Sequence, residues 1–200
     1  MSEQQPTRVP FTGSCHCGGT QYVLFLTLPH PYSETLPPPP SGVQRFYRCN
    51  CTTCHKRGHF HIRPLSPTDD FLLLSPLDPL EQLGDYQCGE KRLHFLSCKT
   101  CAVGLFIFEG EGEVVELDLE ELGVHGRGER GTKTQLWRPK KGGGHPELGN
   151  YVSVNGHTVD ANQDGFDMRE LTEKNFVMYC DCFGDETPPR YGKPQVHGCY

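Results

Sequence analysis

Nine of the eleven cysteines fall into four tight groups. They are Cys15 and Cys17 in GSCHCGG, Cys49, Cys51 and Cys54 in CNCTTC, Cys98 and Cys101 in SCKTC, and Cys180 and Cys182 in YCDC. Cys88 and Cys199 stand alone. Sulfurs at these spacings suit zinc. A zinc–sulfur bond is about 2.3 Å and structural sites are tetrahedral, so ligand sulfurs must sit about 4 Å apart. Cysteines two apart on an extended segment share a face, and a bend between them brings both to one ion. A two-residue gap does the same across a tight turn. Two such halves from distant segments supply four ligands and pin those segments together. Cys15/Cys17, followed by glycines, and Cys98/Cys101 are suitable halves of a closed four-cysteine site. Metal binding of that kind can supply much of a small domain's folding free energy.

Cys49, Cys51 and Cys54 form a different object, with no obvious local fourth sulfur. A zinc held by three protein ligands keeps an open position, as catalytic and ligand-binding sites do. Zinc with three thiolates carries a net negative charge. It is a weaker Lewis acid than a three-histidine site, so an activated-hydroxide hydrolase is less attractive. Sulfur is a good fourth ligand, and coordination would deprotonate an incoming thiol while leaving a nucleophile. The trio therefore suits thiol chemistry and supplies the candidate catalytic residues. Arg48, Lys56 and Arg57 flank it and are candidates to offset its charge or hold a substrate carboxylate; ordinary surface charge is the plainer account of them. A second structural zinc, closed by Cys88 or by His55, His59 or His61, is the alternative for the trio. Cys180/Cys182 reads as a third half-site, a redox pair or spare thiols.

These groups must be held by elements that the composition makes short. Gly and Pro together make up a fifth of the 200 residues, and Ala occurs twice. That argues for strands joined by turns rather than a helix bundle. Strand candidates are Tyr22–Leu28, Gln44–Arg48, Phe71–Leu74, Leu93–Leu96, Leu105–Phe108, Val114–Leu119 and Tyr151–Val154; Met168–Lys174 is the best helix candidate. Pro29–Gly42, with four consecutive prolines, is expected to be an extended surface loop. Residues 109–121 carry seven acidic side chains, alternating with apolar ones in VVELDLE as on a strand with one wet face. Residues 124–149 carry six Lys/Arg among many glycines and read as a flexible basic loop. The organisation expected is a flexible leader over 1–11, one zinc-binding domain over 12–175 and a cysteine-containing tail over 176–200.

The net charge of −6 argues against a general nucleic-acid binder. No apolar run approaches the roughly 20 residues that span a bilayer, and the polar start, MSEQQPTRVPFTGS, lacks the apolar stretch expected of a secretory signal. A cytoplasmic or nuclear location is expected, where disulfides rarely persist. The odd cysteine count also forbids complete internal pairing.

The ordered blocks Gly13–Cys15–Cys17–Gly18 before Tyr22, Cys49–Cys51–Cys54 before Gly58, and Cys98–Cys101 before Leu105 and Phe106 resemble the glutathione-dependent formaldehyde-activating enzyme family, which includes centromere protein V. The resemblance spans roughly residues 12–171. It implies an all-β fold of the β-tent type, mostly antiparallel, its sheets joined by zinc. It implies structural ligands at Cys15, Cys17, Cys98 and Cys101, and a second zinc at Cys49, Cys51 and Cys54 near which glutathione binds. The implied activity joins formaldehyde to glutathione as S-hydroxymethylglutathione, a carbon–sulfur lyase reaction in reverse. The implied partners are thus a small glutathione-like thiol and an aldehyde. Two positions depart from the family pattern: Ala102 stands where a glycine usually follows the third pair, and Ser97 where an aromatic usually precedes it. The tail beyond Phe176, with Cys180, Cys182 and Cys199, has no family counterpart. The rival reading is a non-enzymatic zinc module that binds a protein partner.

Overall fold

The computed structural model describes residues 5–31, 39, 42–127, 130–144, 149–183, 188–196, 198 and 200. Its strands are β1 (Thr7–Ser14), β2 (Gln21–Leu28), β3 (Arg45–Cys49), β4 (Phe60–Arg63), β5 (Phe71–Ser75), β6 (Gly84–Tyr86), β7 (His94–Ser97), β8 (Gly104–Glu109), β9 (Gly112–Asp118), β10 (Lys133–Pro139), β11 (Tyr151–Asn155), β12 (Val177–Cys180) and β13 (Arg190–Tyr191). The helices are short: α1 (Thr52–Lys56), α2 (Pro67–Asp70), α3 (Pro79–Gln82) and α4 (Met168–Glu173). The fold is all-β. A five-stranded sheet runs β1-β2-β5-β10-β9, and an eight-stranded sheet runs β13-β12-β3-β4-β11-β8-β7-β6. Pairing is antiparallel throughout except for β12, which lies parallel to β3 with Cys180 opposite Cys49.

The alternating faces of β2 explain why its sequence is apolar almost throughout. Tyr22, Leu24 and Leu26 point into the main core, while Val23 and Phe25 point to a second cluster with Leu72, Leu119, Val124 and Leu136. A strand covered on both faces needs no polar side. The main core lies between the sheets. Phe71 on β5 meets Tyr22 at 5.6 Å and Phe106 on β8 at 4.8 Å, centroid to centroid, carrying aromatic contact from one sheet to the other. Each such buried aromatic is worth about 1.5–3 kcal/mol of transfer free energy, as an upper figure.

Three expectations are corrected. The leader was expected to extend to residue 11, but β1 begins at Thr7 and pairs with β2 over its whole length. Arg8 anchors it: its Nε donates to the buried Asp70 carboxylate at 2.7 Å, and its guanidinium lies 3.5 Å over the Phe25 ring. The basic region 124–149 is not a continuous loop, because its middle is β10. There Arg138 pairs with Glu113 at 2.9 Å and, just beyond the strand, Lys140 pairs with Glu111 at 3.1 Å. The acidic run and the basic run thus neutralise one another across the β9–β10 hairpin. The segment 176–200, expected as a cysteine-containing tail outside the domain, instead adds β12 and β13 to the larger sheet. Most of the proline-rich insertion and Cys199 lie outside the described residues. Among the described residues, no helix is long and apolar enough to cross a membrane.

Candidate metal centres

The first group is made by two hairpin tips from different sheets. The β1–β2 tip closes with the Cys15 N–H donating to Thr20 O at 3.1 Å, and the β7–β8 tip with the Cys98 N–H donating to Val103 O at 3.0 Å. The same ring in both tips turns the cysteine sulfurs toward each other. Sγ of Cys15, Cys17, Cys98 and Cys101 lie mutually within 4.8 Å. Cys15–Cys17 is 3.5 Å and Cys17–Cys98 is 3.6 Å, close to the edge of a tetrahedral thiolate set. Cys15 and Cys98 are buried. The Thr20 N–H donates to Cys15 Sγ at 3.3 Å, which favours the thiolate. Backbone N–H donors at Val103, and the backbone of Cys17, pull the Cys101 thiol down to about 6. At Cys17 the Gly19 N–H pulls down, but the sulfurs of Cys15 and Cys98 outweigh it and push the thiol up to about 11. Neighbouring sulfurs that cannot all ionise unaided are the setting in which a cation binds with release of protons.

The second group is built on the β3–α1–β4 turn. Cys49 ends β3, Cys51 caps α1 with its sulfur accepting the Cys54 N–H at 3.4 Å, and Cys54 sits buried inside that helix. The Cys51 N–H in turn donates to Cys49 Sγ at 3.5 Å. The three sulfurs lie mutually within 4.8 Å, and among the described residues no fourth metal-ligating side chain meets all three. Hydrogen bonds from the sulfurs of Cys49 and Cys54 pull the Cys51 thiol down to about 2. The Cys49 thiol is pushed up by the sulfurs of Cys51 and Cys54 and by burial. Cys54, in spite of the pull of Cys49, is pushed up to about 12 by Cys51 and burial. The three sulfurs thus oppose one another's ionisation, with backbone N–H donors on the Cys51 side favouring a thiolate there. Both groups fit zinc by donor type, spacing and backbone N–H support. The chain carries two cysteine-rich groups able to hold metal ions.

A cavity of about 450 Å³ opens beside the trio, lined by Cys51, Thr53, Cys88, Phe95, Tyr151 and Arg92, among others. It lies within the usual range for a small-molecule site. Arg92 donates from Nε and an Nη to Glu109 at 3.0 and 2.8 Å. Cys88 Sγ is 3.7 Å from the Thr53 hydroxyl. Behind the trio, His61 Nε2 lies 3.2 Å from Cys54 Sγ while Nδ1 lies 2.8 Å from Ser153 Oγ. Its ring stacks on Tyr47 at 4.1 Å, and Tyr47 shares a 2.8 Å hydrogen bond with the cavity residue Tyr151.

Of the histidines considered for the fourth position, His61 reaches one sulfur, the buried His59 faces His61 at 4.4 Å between ring centroids, and His55 is exposed on α1. Arg48, Lys56 and Arg57 do not line the cavity. Arg48 lies 5.1 Å over Phe60, Arg57 lies 5.8 Å over the cavity residue Phe95, and Lys56 is exposed. Arg92, Thr53, Tyr151 and His61 are the site neighbours that sequence reasoning did not find as a set. Strand pairing brings them together, and only the bond of His61 to a residue of its own turn was locally visible. Cys182 was also missed at this site: its Sγ is 3.5 Å from Cys49 Sγ.

No protein-family model matches the chain. No curated protein matches it. Among solved structures, it is similar to the crystal structure of a Rhodobacter sphaeroides protein, with 18% identity over 80% of this chain and 94% of that chain and a TM-score of 0.38.

Proposed function

We propose that the protein is a zinc-dependent enzyme of the carbon–sulfur lyase class that joins a small glutathione-like thiol to an aldehyde such as formaldehyde, or runs the reverse. The observation that carries this reading is the contrast between the two groups. Four sulfurs close on one another at the hairpin tips, whereas the group of three at Cys49, Cys51 and Cys54 presents one member, Cys51, to a cavity of about 450 Å³. A zinc ion at the trio would supply the charge that turns a guest thiol into a nucleophilic thiolate at neutral pH.

The chain's own residues have the remaining tasks. The cavity admits the guest with its sulfur directed at Cys51. Arg92 and its partner Glu109 offer both signs of charge, matching the carboxylate and ammonium groups of a small peptide thiol. Tyr151 presents its ring to the same cavity, and its hydroxyl bonds to Tyr47. Thiol and formaldehyde combine readily unaided, so alignment is the main contribution required.

The test combines metal analysis with thiol titration. Purified protein should contain zinc in both groups, and glutathione should perturb the visible spectrum of the cobalt-substituted trio. Cys51→Ala should lose that response and retain the metal of the first group. Zinc at both groups with no response to glutathione or any other small thiol, and unchanged thiol–formaldehyde kinetics, would leave a non-enzymatic zinc module.

A further inference from the structure

The C-terminal segment delivers an extra sulfur to the trio. Cys182 Sγ is 3.5 Å from Cys49 Sγ, the same separation as Cys15–Cys17 within the four-sulfur group. The contact joins residues 133 positions apart and is built from three sides. β12 runs parallel to β3 and sets Cys180 opposite Cys49. Asn50, only 1% exposed, then spends both ends of its amide on the next two residues. Its Nδ2 donates to Asp181 Oδ1 at 2.8 Å, and its Oδ1 accepts the Cys182 N–H at 2.7 Å. The Tyr200 hydroxyl donates to Cys180 O at 3.0 Å and holds the strand end. A buried amide with both ends satisfied fixes its partners, because releasing either leaves a polar group without a bond. Among the described residues the sulfur contact with the trio is made by Cys182, on Cys49.

Cys182 is nevertheless not an equal fourth member. It does not lie within 4.8 Å of all three trio sulfurs, and it is exposed where Cys54 is buried. It touches the group from the Cys49 side, while the cavity opens on the Cys51 side. We infer that Cys182 is an exchangeable fourth sulfur donor of the second metal site, held beside Cys49 to take the fourth corner and to yield it to a small-molecule thiol. This rests on the proposed function and deepens it. A resident thiolate makes the corner selective, since water or a carboxylate must displace sulfur from a metal that favours sulfur, whereas a thiol exchanges like for like. The exchange balances without any oxidant. The guest gives up its S–H proton, the departing Cys182 sulfur takes one up, and the net charge of the site is unchanged.

Cobalt substitution under reducing, oxygen-free conditions tests this in the full chain, with Cys182→Ala as the variant and glutathione and 2-mercaptoethanol as the probes. The variant keeps the Cys182 backbone N–H that Asn50 accepts, and the exposed side chain leaves no cavity. The expected result is full cobalt loading of both groups in both proteins, weaker sulfur-to-cobalt charge transfer in the variant, and its recovery on adding either thiol. Half-saturation by thiol should fall about tenfold or more in the variant, because a competing internal ligand no longer has to leave. A variant with the spectrum and thiol titration of the parent protein overturns the assignment of Cys182 while leaving the proposed function intact. A variant that loses the second cobalt altogether makes Cys182 a permanent ligand and overturns the exchange. Parent protein that loads cobalt only at the hairpin tips removes the proposed function, and this inference with it.

Discussion

A single missing methyl group at Gly13 decides how the core begins. A Cβ there would lie 2.1 Å from the Tyr22 ring, and Tyr22 is fully buried. The Tyr22 hydroxyl is 2.9 Å from Thr158 Oγ1, which itself donates to Asn155 O at 2.7 Å, so Tyr22 is the donor. Gly13→Ala must push the ring off this bond, and should cost about 1–3 kcal/mol as an overpacked site does. A lower urea midpoint with unchanged slope would register it; an unchanged midpoint would show that the ring can move freely. Ala102 poses the opposite case. It holds φ of 60° at the β7–β8 tip, where the equivalent tip of the first hairpin uses Gly18 at φ 75°. An alanine in the left-handed region costs about 1–2 kcal/mol. Ala102→Gly should therefore stabilise the protein by about 1 kcal/mol, once the greater freedom of glycine in the unfolded chain is subtracted. Thermal unfolding of the metal-loaded protein is the measurement, and a fall in Tm would contradict the assignment of strain.

Among elements, the two metal groups differ in what they join, and substitutions should separate them. The hairpin tips belong to different sheets, so the first group stitches sheet to sheet; the trio lies within one turn between neighbouring strands. A closed thiolate site can contribute on the order of 10 kcal/mol of binding free energy, comparable to the whole stability of a domain. Cys98→Ala should therefore leave little cooperative unfolding by denaturant, whereas Cys51→Ala should keep most of it. Equal losses in the two variants would show that the division between sheet-joining and guest-binding groups is wrong. The sequence made both groups legible because cysteine spacing is a local signal, and β2, β5 and β8 because their apolar runs are local too. β1 was hidden by Pro10 and by polar ends, yet it is an edge strand, where a residue without an N–H is tolerated. β10 was hidden because its charges find partners on β9 rather than within itself. β12 and the approach of Cys182 to Cys49 were hidden for a third reason: a parallel pairing between residues far apart leaves no periodicity near either.

At the scale of the whole molecule, the sheets are held together at both ends of β2, and the two ends should respond to acid by different means. One end is the four-sulfur group. At the other, Gln44, just before β3, bonds across to Thr27 on β2: its Oε1 accepts the Thr27 N–H at 2.8 Å and its Nε2 donates to Thr27 O at 3.0 Å. That fixes Nε2 as a donor, so His30 Nδ1, 3.2 Å away, must accept and the imidazole must be neutral with its proton on Nε2. Phe46 and Phe176 meet the ring edge-on at 4.9 and 5.1 Å. Burial in this setting pulls His30 down to about 4, against about 6.5 in the unfolded chain. Between those values the unfolded state binds more protons than the folded one, so stability rises with pH through the window. It is complete above about 6.5, lost progressively on acidification, and flat with respect to this group below about 4. His30→Leu removes the titration but leaves one Gln44 N–H without its acceptor, so the variant should start about 1 kcal/mol lower at pH 7. Its stability should then fall less steeply than that of the parent as pH drops from 7 to 4. Protonation of the cysteine ligands weakens both proteins alike, so the difference between the two curves isolates His30. Parallel curves from pH 7 to 4 would mean that the imidazole is already solvated, and that the sulfurs alone set the acid limit of the fold.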